Sequence, residues 1–375
     1  MPRPLHSLTP PEIARICREA FGLDVEVGAF MAGEIAVNIR VSAHGKPYVL
    51  KAEYPSPYMT AAHIDWVSGV QEHARRAGLP VAAQVPVVGA AAGASGFVAL
   101  VPIAAEAAAA EAPTPALVRL QTFLPGSVAT EAPAGLDLPG AFGSLAAQLV
   151  RALADVPREP VPVLHPWSFE TTGANVLFAC DRIASLEAAG MVPGEESART
   201  SADLALARSI AREFEDVVRP GLDTLPHQVL HQDLNDFNVL VEGGADGAVG
   251  GGRVSGIIDF GDARFAPRVA EIALAAGYAT LGTEDPVGSL ARAVDAYDEV
   301  MAGTDVIPGT ALALTDAERD IIPLAALARL CLNACQWTAR TLTTSTEDPR
   351  HDYGKARMQR TWPVIRALAA ATGRA

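Results

Sequence analysis

Hydrophobic residues recur with two different spacings in the two parts of this chain. Up to residue 124 they form short runs or alternate with polar residues, as in β-strands, and a single helical stretch ends at Gly78-Leu79-Pro80. The first two strands and the turn between them predict a β-hairpin. The predicted strands cover residues 35–41, 48–52, 81–88, 96–103 and 117–124, and the predicted helix covers residues 61–77.

After Pro125-Gly126 the hydrophobic spacing becomes that of amphipathic helices, interrupted by a short strand-forming segment at residues 228–259. A helix-start signature also stands at Thr9-Pro10-Pro11-Glu12. The predicted helices cover residues 140–153, 201–218, 267–280, 287–302, 315–342 and 353–371, and the predicted loops cover residues 104–115 and 243–252. The sequence therefore predicts an α+β protein with a small strand-rich part, residues 1–124, and a larger helical part, residues 125–375.

Composition and charge narrow the classes of function. The 375 residues are 50% hydrophobic and 19% charged, which excludes a disordered or coiled-coil chain. Asp and Glu number 43 against 29 Lys and Arg, and the net charge of -14 disfavours a nucleic-acid-binding protein and favours a cationic ligand. The most apolar stretch, residues 97–105, is too short to span a membrane, and the N-terminus does not resemble a secretion signal. We therefore expect a cytoplasmic protein.

Two short motifs carry the chemistry. The first, HQDLNDFN at residues 231–238, lies between two predicted strands, and the second, IDFG at residues 258–261, ends a third strand. Phosphoryl transfer to an alcohol needs a carboxylate that accepts or orients the hydroxyl proton, oxygen ligands for Mg²⁺ and a cation for the upstream phosphates. The spacing places Asp233 and Asn238 on one loop, as a candidate base and a candidate metal ligand. Asp259 would supply a second, anionic metal ligand.

These motifs resemble those of the aminoglycoside phosphotransferase and choline kinase-like family of small-molecule kinases. Their amino-acid sequences are most similar to those of the hydroxylysine kinase branch. The resemblance implies a two-lobed protein-kinase-like fold with a small antiparallel β lobe and a larger helical lobe. It implies Asp233 as the catalytic base, His231 as a brace of the loop, Asn238 and Asp259 as Mg²⁺ ligands, and ATP or GTP as co-substrate. Gln232 replaces the usual glycine, so we expect its backbone to avoid positive φ.

The same resemblance assigns phosphate-binding residues to the small lobe. Lys51 stands at the end of an apolar strand in a chain that has only two other lysines, and it would contact the α- and β-phosphates of the nucleotide. Its acidic partner would come from the predicted helix at residues 61–77. Asp65 and Glu72 are both candidates on one face of that helix, and their spacing from its end favours Asp65.

Two further segments of the small lobe are expected to contact the nucleotide. The turn at residues 28–34 would cover the phosphates; it keeps Gly33 but lacks a complete G-x-G-x-x-G pattern. The hinge that follows the last strand would present backbone groups of Thr122, Phe123 and Leu124 to the adenine.

The predicted acceptor-binding residues are acidic, basic and aromatic. Asp236, Asp262 and Glu271 stand close in sequence to the base and metal ligands and could bind ammonium groups, or could equally serve as helix-capping and packing residues. Trp167 would line the acceptor side. Arg329 begins a polar stripe on the predicted helix at residues 315–342 and could bind an acceptor carboxylate, although a solvated helix face has the same pattern.

We therefore expect a small-molecule kinase that acts on an amine-bearing alcohol. The arginine-rich, alanine-rich composition favours an antibiotic or other secondary metabolite as the acceptor, and a hydroxylysine- or homoserine-type amino acid is the alternative. The incomplete glycine pattern also leaves open a non-catalytic nucleotide-binding protein. Nucleic-acid and membrane partners are not expected, and the sequence does not fix the oligomeric state.

Overall fold

The chain divides into two compact units in a computed structural model. The first unit comprises Met1–Gly126, Val156–Val163 and Ser255–Ala263, and the second comprises Ser127–Asp155, Leu164–Val254 and Arg264–Ala375. The structure describes residues 3–31, 33, 36–88, 94–103, 115–133, 135–162, 165–191, 194–243, 252–302, 313–346 and 349–374.

A five-stranded antiparallel sheet forms the centre of the first unit. Its strands are β1 (Glu26–Met31), β2 (Val37–Ala43), β3 (Lys46–Glu53), β4 (Ala99–Pro102) and β5 (Pro115–Thr122), in the spatial order β1-β2-β3-β5-β4. The alternation in β2 reflects burial, because Ile39 and Val41 face the core while Arg40 between them is exposed. Ile39, Leu50 and Leu120 lie side by side on adjacent strands and are fully buried.

One strand of this sheet differs from the prediction. Residues 81–88 make isolated bridges at Val81 and Gln84 instead of a strand, and β1 is the fifth strand at the sheet edge. Pro86 has no N–H to donate, so this segment cannot form a continuous ladder of hydrogen bonds. Residues 104–114, most of a predicted loop, lie outside the described residues.

Helices α1 (Pro10–Phe21) and α2 (Ala61–Arg76) complete the first unit. The helix-start signature is confirmed, because the Glu12 carboxylate accepts hydrogen bonds from the backbone N–H and the hydroxyl of Thr9, and together the two residues form a capping box. Ile13 and Ile16 of α1 join the core that the sheet buries. The prediction of a helix at residues 61–77 is also confirmed.

The second unit is mainly helical. Its helices are α3 (Leu138–Ala152), α4 (Thr172–Ala188), α5 (Gly194–Glu213), α6 (Val269–Ala279), α7 (Pro286–Ala302), α8 (Asp316–Thr343) and α9 (Pro349–Ala371), of which α4 was not predicted. α8 packs against α4, α6 and α9. Among the described helices, α8 alone is long and apolar enough to cross a membrane, but 78% of its most apolar window is buried inside the protein, as in a core helix.

Short strands of the second unit lie on either side of the motif at residues 231–238. They are β6 (Ser127–Val128), β7 (His227–Leu230), β8 (Val239–Glu242) and β10 (Arg264–Pro267), while β9 (Arg253–Ile257) runs across the boundary of the two units. β7 pairs with β10, and β6 pairs with β8, both antiparallel. Residues 231–238 join β7 to β8, and β10 leads into α6. Residues 244–251, within the predicted glycine-rich loop, lie outside the described residues.

Candidate active site

The loop of residues 231–238 is closed by its own hydrogen bonds. The N–H of Asn235 donates to the carbonyl oxygen of Asp233 at 2.8 Å, and the N–H of Asn238 donates to the carbonyl oxygen of Asn235 at 3.0 Å. The Asn235 side chain accepts from the N–H of Phe237 at 2.8 Å, an Asx turn. The loop therefore holds Asp233 and Asn238 at fixed positions.

Asp233 and Asn238, which the motif spacing placed on one loop, are in direct contact. Asn238 Nδ2 donates to Asp233 Oδ2 at 2.7 Å and to the Asp233 carbonyl oxygen at 2.9 Å. Because the amide nitrogen of Asn238 is turned toward Asp233, its oxygen is the atom suited to a metal, and Mg²⁺ prefers oxygen ligands. The Asp233 side chain is 21% exposed. The Asp233 side chain is therefore partly accessible while Asn238 holds it.

Arg329 does not have the role that the sequence predicted for it. Its side chain is 1% exposed, and Nη2 donates to Asp233 Oδ1 at 3.2 Å. Nη1 donates to the carbonyl oxygen of Trp167 at 2.7 Å, and Nε donates to the Tyr278 hydroxyl at 3.2 Å. A guanidinium engaged in this way is not presented to an acceptor carboxylate. The polar stripe is not a solvated face either, because Asn333 is buried as well.

Trp167 is half-buried and lies under cations. Its ring centroid is 5.1 Å from the guanidinium carbon of Arg329 and 5.8 Å from that of Arg340. Both contacts are in the range of cation–π interactions. The Trp167 ring, which was predicted to line the acceptor side, therefore already contacts two arginines of the protein itself.

The N-terminal end of the loop is held by Glu271 of α6. Glu271 Oε2 accepts from the backbone N–H of His231 at 2.9 Å and of Gln232 at 3.1 Å. Glu271 is fully buried, so the prediction that it binds an acceptor ammonium group is wrong. Burial raises the pKa of its carboxyl to about 7, against the opposing effect of the two N–H groups.

His231 and Gln232 show how this end of the loop is built. His231 is buried and Nδ1 accepts from the N–H of Asp233 at 3.2 Å, consistent with a bracing role. Gln232 has a φ of 62°, so the expectation that this position avoids positive φ is wrong. The left-handed conformation costs a non-glycine residue about 1–2 kcal/mol. The two hydrogen bonds to Glu271 offset that strain.

Asp236 is also committed within the protein. Its side chain is 3% exposed and accepts from Arg357 Nη1 and Arg360 Nη1 of α9, each at 3.0 Å. The prediction that Asp236 binds an acceptor amine is therefore wrong, because its carboxylate is buried between two guanidinium groups. The Arg357 guanidinium also lies over the ring of Phe237, 4.6 Å from the centroid.

In the first unit, Lys51 contacts the second predicted metal ligand. Lys51 Nζ lies 3.4 Å from Asp259 Oδ1, and the Asp259 side chain is 54% exposed. Asp259 has a φ of 61°, and His63 of α2 bonds the carbonyl oxygen of Gly261 through Nε2 at 3.2 Å. Asn38 lies directly opposite Lys51 on the neighbouring strand. Lys51 and Asp259 thus present a cation and an accessible carboxylate next to each other.

The predicted pairing of Lys51 with Asp65 is not found. The Asp65 carboxylate accepts hydrogen bonds from the backbone N–H and the hydroxyl of Ser95. The other candidate, Glu72, is paired with Arg75 and Arg76 on its own helix. Both acids of α2 are therefore engaged elsewhere, and Asp259 is the carboxylate at Lys51.

The predicted nucleotide-binding backbone is partly used within the first unit. The N–H of Thr122 donates to the carbonyl oxygen of Ala83, and the N–H of Phe123 donates to that of Pro47. The N–H groups of Thr122 and Phe123 are therefore not presented to an adenine.

Gly33 and Asp262 also belong to the first unit. A Cβ on Gly33 would lie 2.4 Å from both the carbonyl oxygen of Ala36 and Nδ2 of Asn38, so this turn accepts only glycine without rearrangement. Asp262 is half-buried at the end of the 3₁₀ turn Phe260–Asp262. It does not cap α6, because β10 lies between them.

The chemistry of the donors fits Mg²⁺ bound with phosphate. Among the described residues no group of three or more His, Cys, Asp or Glu side chains is arranged to hold a metal ion. Mg²⁺ is usually bound by one or two protein oxygens together with substrate phosphates and water. Asn238 of the second unit and Asp259 of the first unit each offer such an oxygen, and each taken by itself fits a metal that arrives with a nucleotide.

Residues 28–307 match the phosphotransferase enzyme family. This chain belongs to that family. The matched residues include Lys51, the loop at 231–238 and Asp259, whereas Arg329, Arg357 and Arg360 lie beyond them. These arginines therefore lie outside the part of the chain that matches the family, although the loop that they contact lies inside it.

Curated relatives of this phosphotransferase are hydroxylysine kinases. That of Bos taurus is 28% identical over 218 residues, which are 57% of this chain and 51% of the relative. That of Mus musculus is 29% identical over 199 residues, which are 52% of this chain and 48% of the relative. The chain thus spans about half the length of these relatives.

Solved structures confirm the predicted protein-kinase-like fold. A microcompartment-associated aminopropanol kinase has a TM-score of 0.60 at 16% identity, covering 97% of this chain and 98% of that chain. A spectinomycin phosphotransferase in complex with ADP and spectinomycin has a TM-score of 0.57 at 13% identity, covering 98% of this chain and 100% of that chain.

Sequence reasoning missed several residues of the site. His63 and Tyr278 were not singled out, and neither were Arg357 and Arg360, although each bonds a predicted site residue or its immediate neighbour. The two arginines of α9 stand on one helix face at i,i+3, which was a possible signal of a shared partner. Nothing in the sequence indicated that this partner is Asp236, more than 120 residues earlier.

Proposed function

We propose that this phosphotransferase is a Mg²⁺-dependent kinase that transfers the γ-phosphoryl group of ATP or GTP to a hydroxyl of a small amine-bearing molecule. The contact between the Asp233 carboxylate and the Asn238 amide carries the proposal. It joins a proton acceptor to a side chain whose oxygen suits Mg²⁺. We further propose that the protein acts in the cytoplasm and needs no nucleic-acid or membrane partner.

Each proposed residue has one task in the reaction. Asp233 orients the acceptor hydroxyl and takes its proton as the oxygen bonds to the γ-phosphorus and the bond to the β–γ bridging oxygen breaks. Lys51 binds the upstream phosphates as a point charge. Asn238 and Asp259 would each offer an oxygen to Mg²⁺, which would supply positive charge against the phosphates. The nucleoside diphosphate leaves with the electron pair of the broken bond.

The acceptor class that we propose is a hydroxy amino acid or a related amino alcohol. The curated relatives that match the chain in sequence are hydroxylysine kinases, whereas the likeness to antibiotic phosphotransferases is one of fold. The net charge of -14 adds attraction for an amine. A hydroxylated antibiotic, which the composition favoured, is the rival acceptor.

An acceptor panel tests the proposal. The purified full chain is incubated with Mg²⁺ and ATP or GTP and with hydroxylysine, homoserine, aminopropanol, aminoglycosides, spectinomycin or uncharged diols, and phosphorylated products are identified by mass spectrometry. We expect a phosphate monoester of an amino acid or amino alcohol. Transfer confined to antibiotics would replace the proposed acceptor, and nucleotide binding without transfer to any of these compounds would favour the non-catalytic alternative.

A further inference from the structure

Arg329 is a buried cation fixed by contacts to separate parts of the second unit. It stands on α8, its Nε bonds the hydroxyl of Tyr278 on α6, and its Nη1 bonds the carbonyl oxygen of Trp167. The rings of Trp167 and Tyr278 lie 5.1 and 5.9 Å from the guanidinium carbon. Its remaining nitrogen, Nη2, donates to Asp233 Oδ1 at 3.2 Å. These contacts hold the guanidinium group in one orientation, and the Asp233 carboxylate, the proposed base, is hydrogen-bonded to it.

We propose that Arg329 is a positioning residue for the catalytic base, holding the Asp233 carboxylate in one orientation. This inference rests on the proposed function, because it gives Arg329 a role in the reaction only if Asp233 is the base. Arg329 itself does not contact the acceptor.

The first part of the argument is geometric. The Asp233 carboxylate is held through both oxygens, Oδ1 by Arg329 and Oδ2 by Asn238. Asn238 belongs to the same loop, so it cannot fix the loop against the rest of the unit. Arg329 stands on α8, 96 residues away in sequence. Its hydrogen bond therefore fixes the carboxylate relative to the helices of the second unit. Angstrom-scale misplacement of a catalytic group costs up to about a hundredfold in rate.

The second part of the argument is electrostatic. A buried guanidinium is costly without a carboxylate partner, so the burial of Arg329 favours a conformation in which Asp233 stays in contact with it. In phosphoryl transfer the transition state is loose and the carboxylate mainly orients the hydroxyl. Arg329 therefore serves Asp233 by fixing its orientation.

The contrast with Asp236 separates this role from simple bracing of the loop. Asp236 is bound by Arg357 and Arg360 and is almost fully buried, so that cluster has no face for a substrate. Asp233 keeps exposed surface while Arg329 has almost none. The Arg329–Asp233 pair is thus arranged with the cation inside and the carboxylate toward solvent, as a positioned base requires.

Substitution of Arg329 tests the inference. Arg329→Met removes the charge at similar length, and we expect kcat to fall roughly tenfold to a hundredfold with the nucleotide KM unchanged. Arg319→Met is the matched control: Arg319 is on the same helix but pairs with Asp298 of α7, and this variant should keep wild-type rates.

A double-mutant cycle with Asp233→Asn decides whether Arg329 acts through the base. If it does, Arg329→Met lowers the rate of wild type but causes little further loss in the Asp233→Asn background. Additive losses in the double variant would overturn the inference. Should Arg329→Met fail to fold, Arg329→Ala with added guanidinium ion gives the same information, since the ion should restore rate in the alanine variant. Absence of transfer by the wild type would instead refute the proposed function.

Discussion

Glu271 is the side chain whose ionisation most clearly opposes folding. Burial is the larger effect and raises the pKa of its carboxyl from its ordinary value of 4.5 to about 7. A group whose pKa is raised in the folded state stabilises the fold fully below pH 4.5, and that contribution is lost as pH rises through about 7. The loss is on the order of 3 kcal/mol.

Glu271→Gln should remove this pH dependence. The glutamine oxygen can still accept from the N–H groups of His231 and Gln232, but the side chain has no charge to bury. Chemical unfolding midpoints between pH 5 and 7.5 should fall less for the variant than for wild type. Glu12→Gln is the control of opposite sign: hydrogen bonds from Arg3 hold the pKa of Glu12 at about 2, so its contribution is constant over this range. Parallel curves for wild type and Glu271→Gln would contradict the account.

The contact between Asp233 and Asn238 is a local feature, but the partners of most other candidate residues could not be predicted. Asp233 and Asn238 stand on one short loop, so local sequence was sufficient to place them together. Asp236 and Glu271 were expected to face an acceptor because they are close to the motifs in sequence. The structure instead gives them partners from α9 and from loop backbone. Such partners are fixed by tertiary packing, which sequence spacing does not contain.

Two glycines in helices show how packing determines the effect of one added methyl group. Gly69 lies within α2, and an added Cβ would meet nothing closer than Ser95 Cβ at 4.0 Å. Gly143 lies within α3, where an added Cβ would be 1.8 Å from the carbonyl oxygen of Ala293 on α7. The same substitution should therefore have opposite effects at the two positions.

Gly69→Ala should stabilise the first unit by about 0.5–1 kcal/mol, because alanine favours the helix and restricts the unfolded chain. Gly143→Ala should destabilise the second unit by at least about 1–3 kcal/mol, because α3 and α7 must move apart. Thermal unfolding of both variants beside wild type measures this. A lower melting temperature for Gly69→Ala would show that α2 is packed more tightly than the structure indicates.

The secondary-structure predictions succeeded for helices and strands that bury only one of their faces. The period-2 pattern of β2 and the capping box of α1 are local signals, and both elements form as expected. Residues 81–88 have the composition of a strand, but Pro86 interrupts their hydrogen bonding. Residues 28–31 of β1 were assigned to a phosphate-covering turn because of the family resemblance. Pairing with β2 makes it a strand, and that pairing is not a property of either segment alone.

The charge of the whole molecule bears on how the acceptor reaches the site. Asp and Glu number 43 against 29 Lys and Arg. Close to the loop at residues 231–238, however, Arg329, Arg357 and Arg360 contact its carboxylates. Since these arginines are paired with carboxylates, the long-range field remains negative and attracts a cation.

The kcat/KM for a cationic acceptor should therefore fall as salt is raised from about 0.01 to 0.1 M, because the Debye length shortens from about 30 to 10 Å. The kcat/KM for an uncharged diol, measured at saturating nucleotide, should change little. Equal salt dependence for the two acceptors, or equal activity on both, would contradict attraction of the amine by the protein's charge.

The central claim is that Asp233 acts in phosphoryl transfer and not in nucleotide binding. It is tested most directly by measuring nucleotide affinity by calorimetry, and phosphate transfer to the best acceptor by mass spectrometry, in wild type and Asp233→Asn. We predict that transfer falls about 10²–10⁴-fold while Mg²⁺-nucleotide affinity is retained, because a base acts at the chemical step. Transfer at the wild-type rate by Asp233→Asn, or a loss of nucleotide affinity as large as the loss of transfer, would contradict the account.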